Sequence, residues 1–159
     1  MTMNIAKEPD EKLEQMFRNC MVSILEDKPN RKQAEDMISK INDVWCRRSQ
    51  SQGRPPSTES PDIGVLKVVG YSVGNSSKLS PKERHVLLDY VMVGILPFVH
   101  SSSHMDEWGE PNSQARYRKL HRVLASFRTG AANRLELAIA FEEWDKDVAY
   151  IESEWKKRI

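Results

Sequence analysis

The chain has 159 residues, of which 24 are Lys or Arg and 23 are Asp or Glu, so its formal net charge is +1. This length suffices for one ordinary domain with a sizeable core, and the balanced charge gives no overall attraction to nucleic acid or anionic lipid. The sequence shows neither an apolar leader near Met1 nor an apolar run long enough to cross a bilayer. It therefore predicts a cytoplasmic protein that makes no membrane contact.

The first two helices are predicted over residues 10–26 and 31–48. Apolar side chains recur in both at steps of three and four residues, which places them on one face of each helix. The short break at Asp27-Lys28-Pro29-Asn30 predicts an antiparallel hairpin that buries the two faces against each other. Cys20 and Cys46 lie on these faces, which indicates reduced, buried thiols rather than nucleophiles or metal ligands.

A polar segment follows the hairpin. Residues 49–61 hold four serines, three prolines and one glycine without an apolar side chain, which predicts a flexible linker. The predicted organisation is a hairpin over 1–48, this linker, and a C-terminal helical module over 62–159, together forming one compact domain.

The apolar run from Ile63 to Val69 fits either a helix or a buried strand, because periodicity does not separate the two. A helix that ends at a glycine C-cap is favoured, since Gly70 and Gly74 follow, and a strand of a small hairpin is the alternative.

The remaining elements carry clear start and stop signals. Ser80 and Glu83 form a predicted capping box at the start of a helix that runs to Gly94, and residues 95–99 are predicted to be extended. A polar loop precedes a fourth helix, which is predicted from Pro111 to Thr129 with Gly130 at its end. The last helix, over 133–156, carries six large apolar residues on one seam: Leu137, Phe141, Trp144, Val148, Ile151 and Trp155. These signals predict an all-α fold of about five principal helices.

The fourth helix and its C-terminal flank are rich in basic residues, and on a helical wheel Arg118, Lys119 and Arg122 gather on the side opposite the apolar stripe. Such a row can lie along phosphates and release condensed counterions, which predicts contact with DNA or RNA. The alternative is a solvated face that pairs with the acidic last helix. The candidate nucleic-acid-binding residues are Arg116, Arg118, Lys119, Arg122, Arg128 and Arg134.

The loop before this helix combines a bulky anchor, a flexible glycine and a helix-initiating proline in Trp108, Gly109 and Pro111. We interpret it as a shaped loop that either docks on the core or forms part of an interaction surface. No residues are predicted to be catalytic or to bind a metal, and no cofactor is predicted. His100 and His104 beside Asp106 leave open a metal-dependent hydrolase as the weakest alternative.

Several motifs between Leu66 and Ile151 form a succession: Gly70-Tyr71-x-Val73-Gly74, Leu79-Ser80-x-x-Glu83-Arg84, Leu96-Pro97-x-Val99, Glu107-Trp108-Gly109-x-Pro111-x-Ser113 and Trp144-x-x-Asp147. This succession resembles a poorly characterised bacterial helical module found in proteins of mobile elements or near restriction and phage-defence genes. The resemblance covers a little over half of the chain and implies a genome-maintenance or defence context, without assigning a catalytic residue.

Together these features predict a non-enzymatic accessory or binding protein that contacts nucleic acid through the basic helix. The alternative is a protein-interaction or oligomerisation module, so that the expected partners are a protein, a second copy of the chain, or nucleic acid.

Overall fold

The computed structural model describes residues 4–52, 61–99 and 101–159. In these ranges all of the regular secondary structure is helical, which confirms the predicted all-α class. Two short 3₁₀ segments, Ile5–Lys7 and Leu135–Leu137, accompany the α-helices. The α-helices are α1 (Asp10–Leu25), α2 (Arg31–Gln52), α3 (Pro61–Val69), α4 (Pro81–Val93), α5 (Ser102–Asp106), α6 (Gln114–Ala131) and α7 (Ala138–Glu154).

The chain divides into two compact units, and the first comprises Met1–Gly70 and Ile95–Met105. Within it α1 and α2 form the predicted hairpin, and its core includes Leu13, Phe17, Ile38, Ile41 and Trp45. The carboxylate of Asp10 links the two helices at the open end of this hairpin. Asp10 accepts hydrogen bonds from the indole of Trp45 at 3.1 Å and from the guanidinium of Arg48 at 2.6 Å.

The second unit comprises Tyr71–Gly94 and Asp106–Ile159. Its long helices α4, α6 and α7 contact one another, with the most extensive packing between α6 and α7. Of the six residues predicted on the seam of the last helix, Val148, Ile151 and Trp155 are buried, whereas Leu137, Phe141 and Trp144 are partly exposed. The predicted start of this helix at residue 133 is wrong, because α7 begins at Ala138. This unit holds the six basic residues, the loop at Trp108 and the exposed apolar residues described below.

The structure confirms two of the predicted signals for helix ends. The capping box at Ser80 is present, with the Ser80 hydroxyl accepting from the Glu83 amide and the Glu83 carboxylate accepting from the Ser80 amide. Residues 61–69 are helical, and Gly70 follows with a φ of +95°, a conformation that glycine adopts without a Cβ clash. The strand alternative for this segment is therefore wrong.

Other predicted boundaries need correction. Helix α2 continues through Gln52, so the predicted linker start at Ser49 is wrong, and residues 53–60 of that linker lie outside the described residues. The grouping of α3 with the hairpin also differs from the predicted module over 62–159. Helix α6 extends through Gly130 to Ala131, and a short helix, α5, lies where a loop was predicted.

Candidate functional site

The six basic residues predicted to contact nucleic acid do not share one exposed face. Arg116 and Lys119 are buried, with exposed fractions of 4% and 5%. The helical wheel placed Lys119 outside, which is wrong because tertiary contacts cover it. Its ammonium lies 5.7 Å from the centroid of the Trp108 ring and 3.6 Å from the Glu107 carboxylate. A buried lysine held in this way is a packing element.

Arg116 ties two segments of the second unit together through main-chain carbonyls. Its guanidinium donates to the carbonyl oxygens of Val91 at 2.7 Å and Gly94 at 3.1 Å, at the end of α4. It also donates to the carbonyl oxygens of Trp108 and Gly109, both at 3.0 Å, in the loop before α6. Burial lowers the pKa of Arg116 to about 10, which still leaves the side chain charged at neutral pH. These four hydrogen bonds stabilise the fold of the second unit.

The other basic residues of the set lie at the surface. The side chain of Arg118 donates to the Gln114 side chain at 3.3 Å. The remaining three arginines each lie within 4 Å of a carboxylate: Arg122 and Glu107 at 3.8 Å, Arg128 and Asp145 at 3.0 Å, and Arg134 and Glu136 at 3.0 Å. These carboxylates offset the positive potential that a polyanion would need.

The predicted interaction loop is anchored in the core. Trp108 is fully buried, so its ring is not available to a partner, whereas Pro111 is exposed. Gly109 has a φ of +64°, and a Cβ at this position would lie 2.6 Å from the Cβ of Ala115. The tight turn at Gly109 therefore seats Trp108 and brings the loop carbonyls to Arg116. The buried position of Trp108 fits the interpretation in which this loop docks on the core.

A buried carboxylate, Asp147 of α7, is the centre of a polar network. Its Oδ2 accepts from the Tyr71 hydroxyl at 2.6 Å and from Nε of Arg84 at 2.8 Å. Its Oδ1 lies 3.2 Å from Nε2 of His85 and accepts from Nη2 of Arg84 at 3.3 Å. Arg84 also donates to Glu143 at 2.7 Å, so the buried guanidinium is balanced by two carboxylates. This saturation leaves Asp147 unsuited to act as a free general base.

A second polar cluster continues from His85 along α7. The imidazole of His85 stacks on the ring of Tyr150, with centroids 3.8 Å apart and an angle of 3° between the planes. The Tyr150 hydroxyl donates to Asp89, which also accepts from the Trp155 indole at 2.8 Å. Burial and the nearby Asp89 carboxylate raise the pKa of Tyr150 to about 12. These contacts fix α7 against α4 and contain no reactive group poised for chemistry.

The outer surface around the start of α7 exposes large apolar side chains. Leu135 is 91% exposed and Ile139 is 52% exposed, although both are large apolar side chains. An open groove of about 510 Å³ lies beside them, lined in part by Ala131, Ala138 and Phe141. Exposed apolar surface next to a groove is typical of a protein contact site. We call Leu135, Ala138 and Ile139 the α7 apolar patch.

No protein-family model, curated protein or solved structure matches the chain. The motifs that carry the resemblance nevertheless have a clear physical role, because Tyr71, Arg84, Trp108, Gly109 and Asp147 all hold the second unit together.

Metal and thiol chemistry find little support in the described part of the chain. There, no group of three or more His, Cys, Asp and Glu side chains is arranged to hold a metal ion. His104 is buried in α5, and His100 lies outside the described residues. Cys20 and Cys46 are half-buried rather than fully buried, and burial raises the pKa of the Cys20 thiol, which favours its unreactive protonated form.

Sequence reasoning missed the α7 apolar patch. The available signal was Leu135 and Ile139, which fall outside the buried seam of the last helix at a spacing of four residues.

None of the described helices is both long enough and apolar enough to traverse a lipid bilayer.

Proposed function

We propose that this protein is a non-enzymatic binding module that recognises another protein surface through the α7 apolar patch. The observation that carries the proposal is the exposure of Leu135 and Ile139, since a folded chain gains by covering large apolar side chains. The defence or mobile-element context belongs to the same proposal and depends on the motif resemblance alone.

The state of the charged residues supports protein rather than nucleic acid as the partner. Arg116 donates to main-chain carbonyls, and Lys119 lies between Trp108 and Glu107. The second unit contains thirteen basic and twelve acidic side chains, so it offers no strong field for a polyanion. Of the four surface arginines in the predicted set, three already lie within 4 Å of a carboxylate, which weakens their attraction for a polyanion.

Site-specific photo-crosslinking in the native cell tests this proposal. A photoreactive benzoylphenylalanine replaces Leu135, and the matched control carries it at Lys82, an exposed position on α4. We expect protease-sensitive protein adducts from position 135 and far fewer from position 82. Nuclease-sensitive adducts, or equal labelling at both positions, would overturn the proposal.

A further inference from the structure

The outer face of α7 carries an ordered stripe of exposed side chains. Starting from Ile139, steps of three and four residues lead along the side of the helix opposite the core, and Leu135 precedes this stripe in the 3₁₀ segment. The members of the stripe are Ile139, Glu142, Lys146, Ala149 and Ser153, and all five are exposed. Glu142 and Lys146 form an ion pair at 3.2 Å near the middle of the stripe.

The stripe is complementary to itself when it is read in the reverse direction. If two copies of α7 lie antiparallel with a two-fold axis midway between Glu142 and Lys146, Glu142 of each copy faces Lys146 of the other. In the same register Ile139 faces the small side chain of Ala149. Glu142 thus meets a basic residue, and Ile139 meets a small one.

We propose that a second copy of this chain is the partner that covers the α7 apolar patch, by antiparallel pairing of the two α7 stripes. This inference rests on the proposed function and names its partner. A two-fold axis requires that one surface be complementary to itself, and the charge order of the stripe meets that requirement.

The size of the contact sets the expected strength. Helix α7 has 17 residues, which corresponds to a length of about 25 Å, so a contact along it lies at the small end of protein interfaces. Burial of Ile139 supplies the apolar contribution, while the Glu142 and Lys146 pairs select the register. We expect a reversible dimer that dissociates in the micromolar range.

Cysteine crosslinking tests the register directly. Full-length Ile139→Cys and Ala149→Cys variants are purified separately and oxidised with copper phenanthroline, either alone or as a mixture. We expect a disulfide-linked dimer in the mixture, and in each single variant no more than the wild type gives through Cys20 and Cys46. Efficient linkage of Ile139→Cys to itself would indicate parallel pairing and would overturn the proposal.

A charge exchange tests the complementarity in solution, with the dimer measured by sedimentation equilibrium of the full chain from micromolar to sub-millimolar concentration. Lys146→Glu places acidic residues opposite each other, and we expect about a tenfold loss of dimer affinity. The double variant Glu142→Lys and Lys146→Glu restores opposite pairs and should return to within about threefold of the wild type. Lys82→Glu makes the same charge change on α4 and should leave the dimer unaffected.

The outcomes separate this inference from the proposed function. A wild-type chain that stays monomeric at sub-millimolar concentration would overturn the second-copy proposal. If position 135 still crosslinked to other proteins, the binding function would stand with a different partner. Circular dichroism of every variant identifies loss of folding, and any variant with altered helicity is replaced by Ile139→Ser, for which we expect weakened dimerisation with an unchanged helical spectrum.

Discussion

Replacing Arg116 with alanine removes the donor of four hydrogen bonds to main-chain carbonyls in the second unit. The bonds to the carbonyls of Val91 and Trp108 are buried, and each buried acceptor left without a donor costs about 1–3 kcal/mol. The bonds to Gly94 and Gly109 are partly exposed, so water can replace the guanidinium there at a smaller cost. We expect the free energy of unfolding to fall by about 4 kcal/mol, which is a large effect for one substitution.

The matched control is Arg118→Ala, two residues along the same helix. Arg118 is exposed and its side chain donates to Gln114, so we expect a change within about 0.5 kcal/mol. Urea denaturation followed by circular dichroism and by tryptophan fluorescence measures both variants. The four tryptophans together report the loss of tertiary packing, and the buried Trp108 is one of them. If the two variants differ by less than about 1 kcal/mol, the assigned role of Arg116 is wrong.

Three further predictions concern stability. Gly109→Ala places a Cβ against Ala115 at a positive φ, and we expect urea denaturation to show a loss of about 2 kcal/mol. Ser80→Ala removes the hydroxyl that caps the Glu83 amide, and thermal unfolding should show a loss of about 1 kcal/mol, whereas Ser80→Asp should retain most of the cap. The pKa of Tyr150 is raised to about 12 in the folded protein, against about 10 in an unfolded chain. The folded state therefore favours the neutral phenol, and its contribution to stability is complete below about pH 10 and is lost as the pH rises towards 12. Urea titrations over this pH range should show a smaller alkaline loss for Tyr150→Phe than for the wild type, and equal losses would contradict the assignment.

Local signals predicted the helices well because they act over one or two turns. The Ser80 capping box and the glycine after Val69 depend only on nearby backbone geometry, and the structure confirms both. The end of α2 was predicted four residues too early because serine and glutamine weaken a helix without ending it.

The roles of the charged residues depended on tertiary contacts that periodicity does not contain. A helical wheel places Lys119 by its angle alone, yet its ammonium lies against the ring of Trp108, eleven positions earlier in the sequence. Arg116 likewise finds its acceptors at the end of α4 and in the preceding loop. The stripe on α7 was within reach of sequence reasoning, since pairing the helix with its own reversed sequence reveals the match of Glu142 with Lys146.

The network around Asp147 has a consequence for natural variation. A carboxylate that serves Tyr71, Arg84 and His85 at once is not replaced alone, because the loss strands a buried guanidinium, at a cost of about 3–5 kcal/mol. We therefore expect descendants of this chain to change these positions as a set, with apolar residues entering at Asp147 and Arg84 together. Coordinated exchange of this kind would leave a trace in an evolutionary record even where the overall sequences have drifted apart.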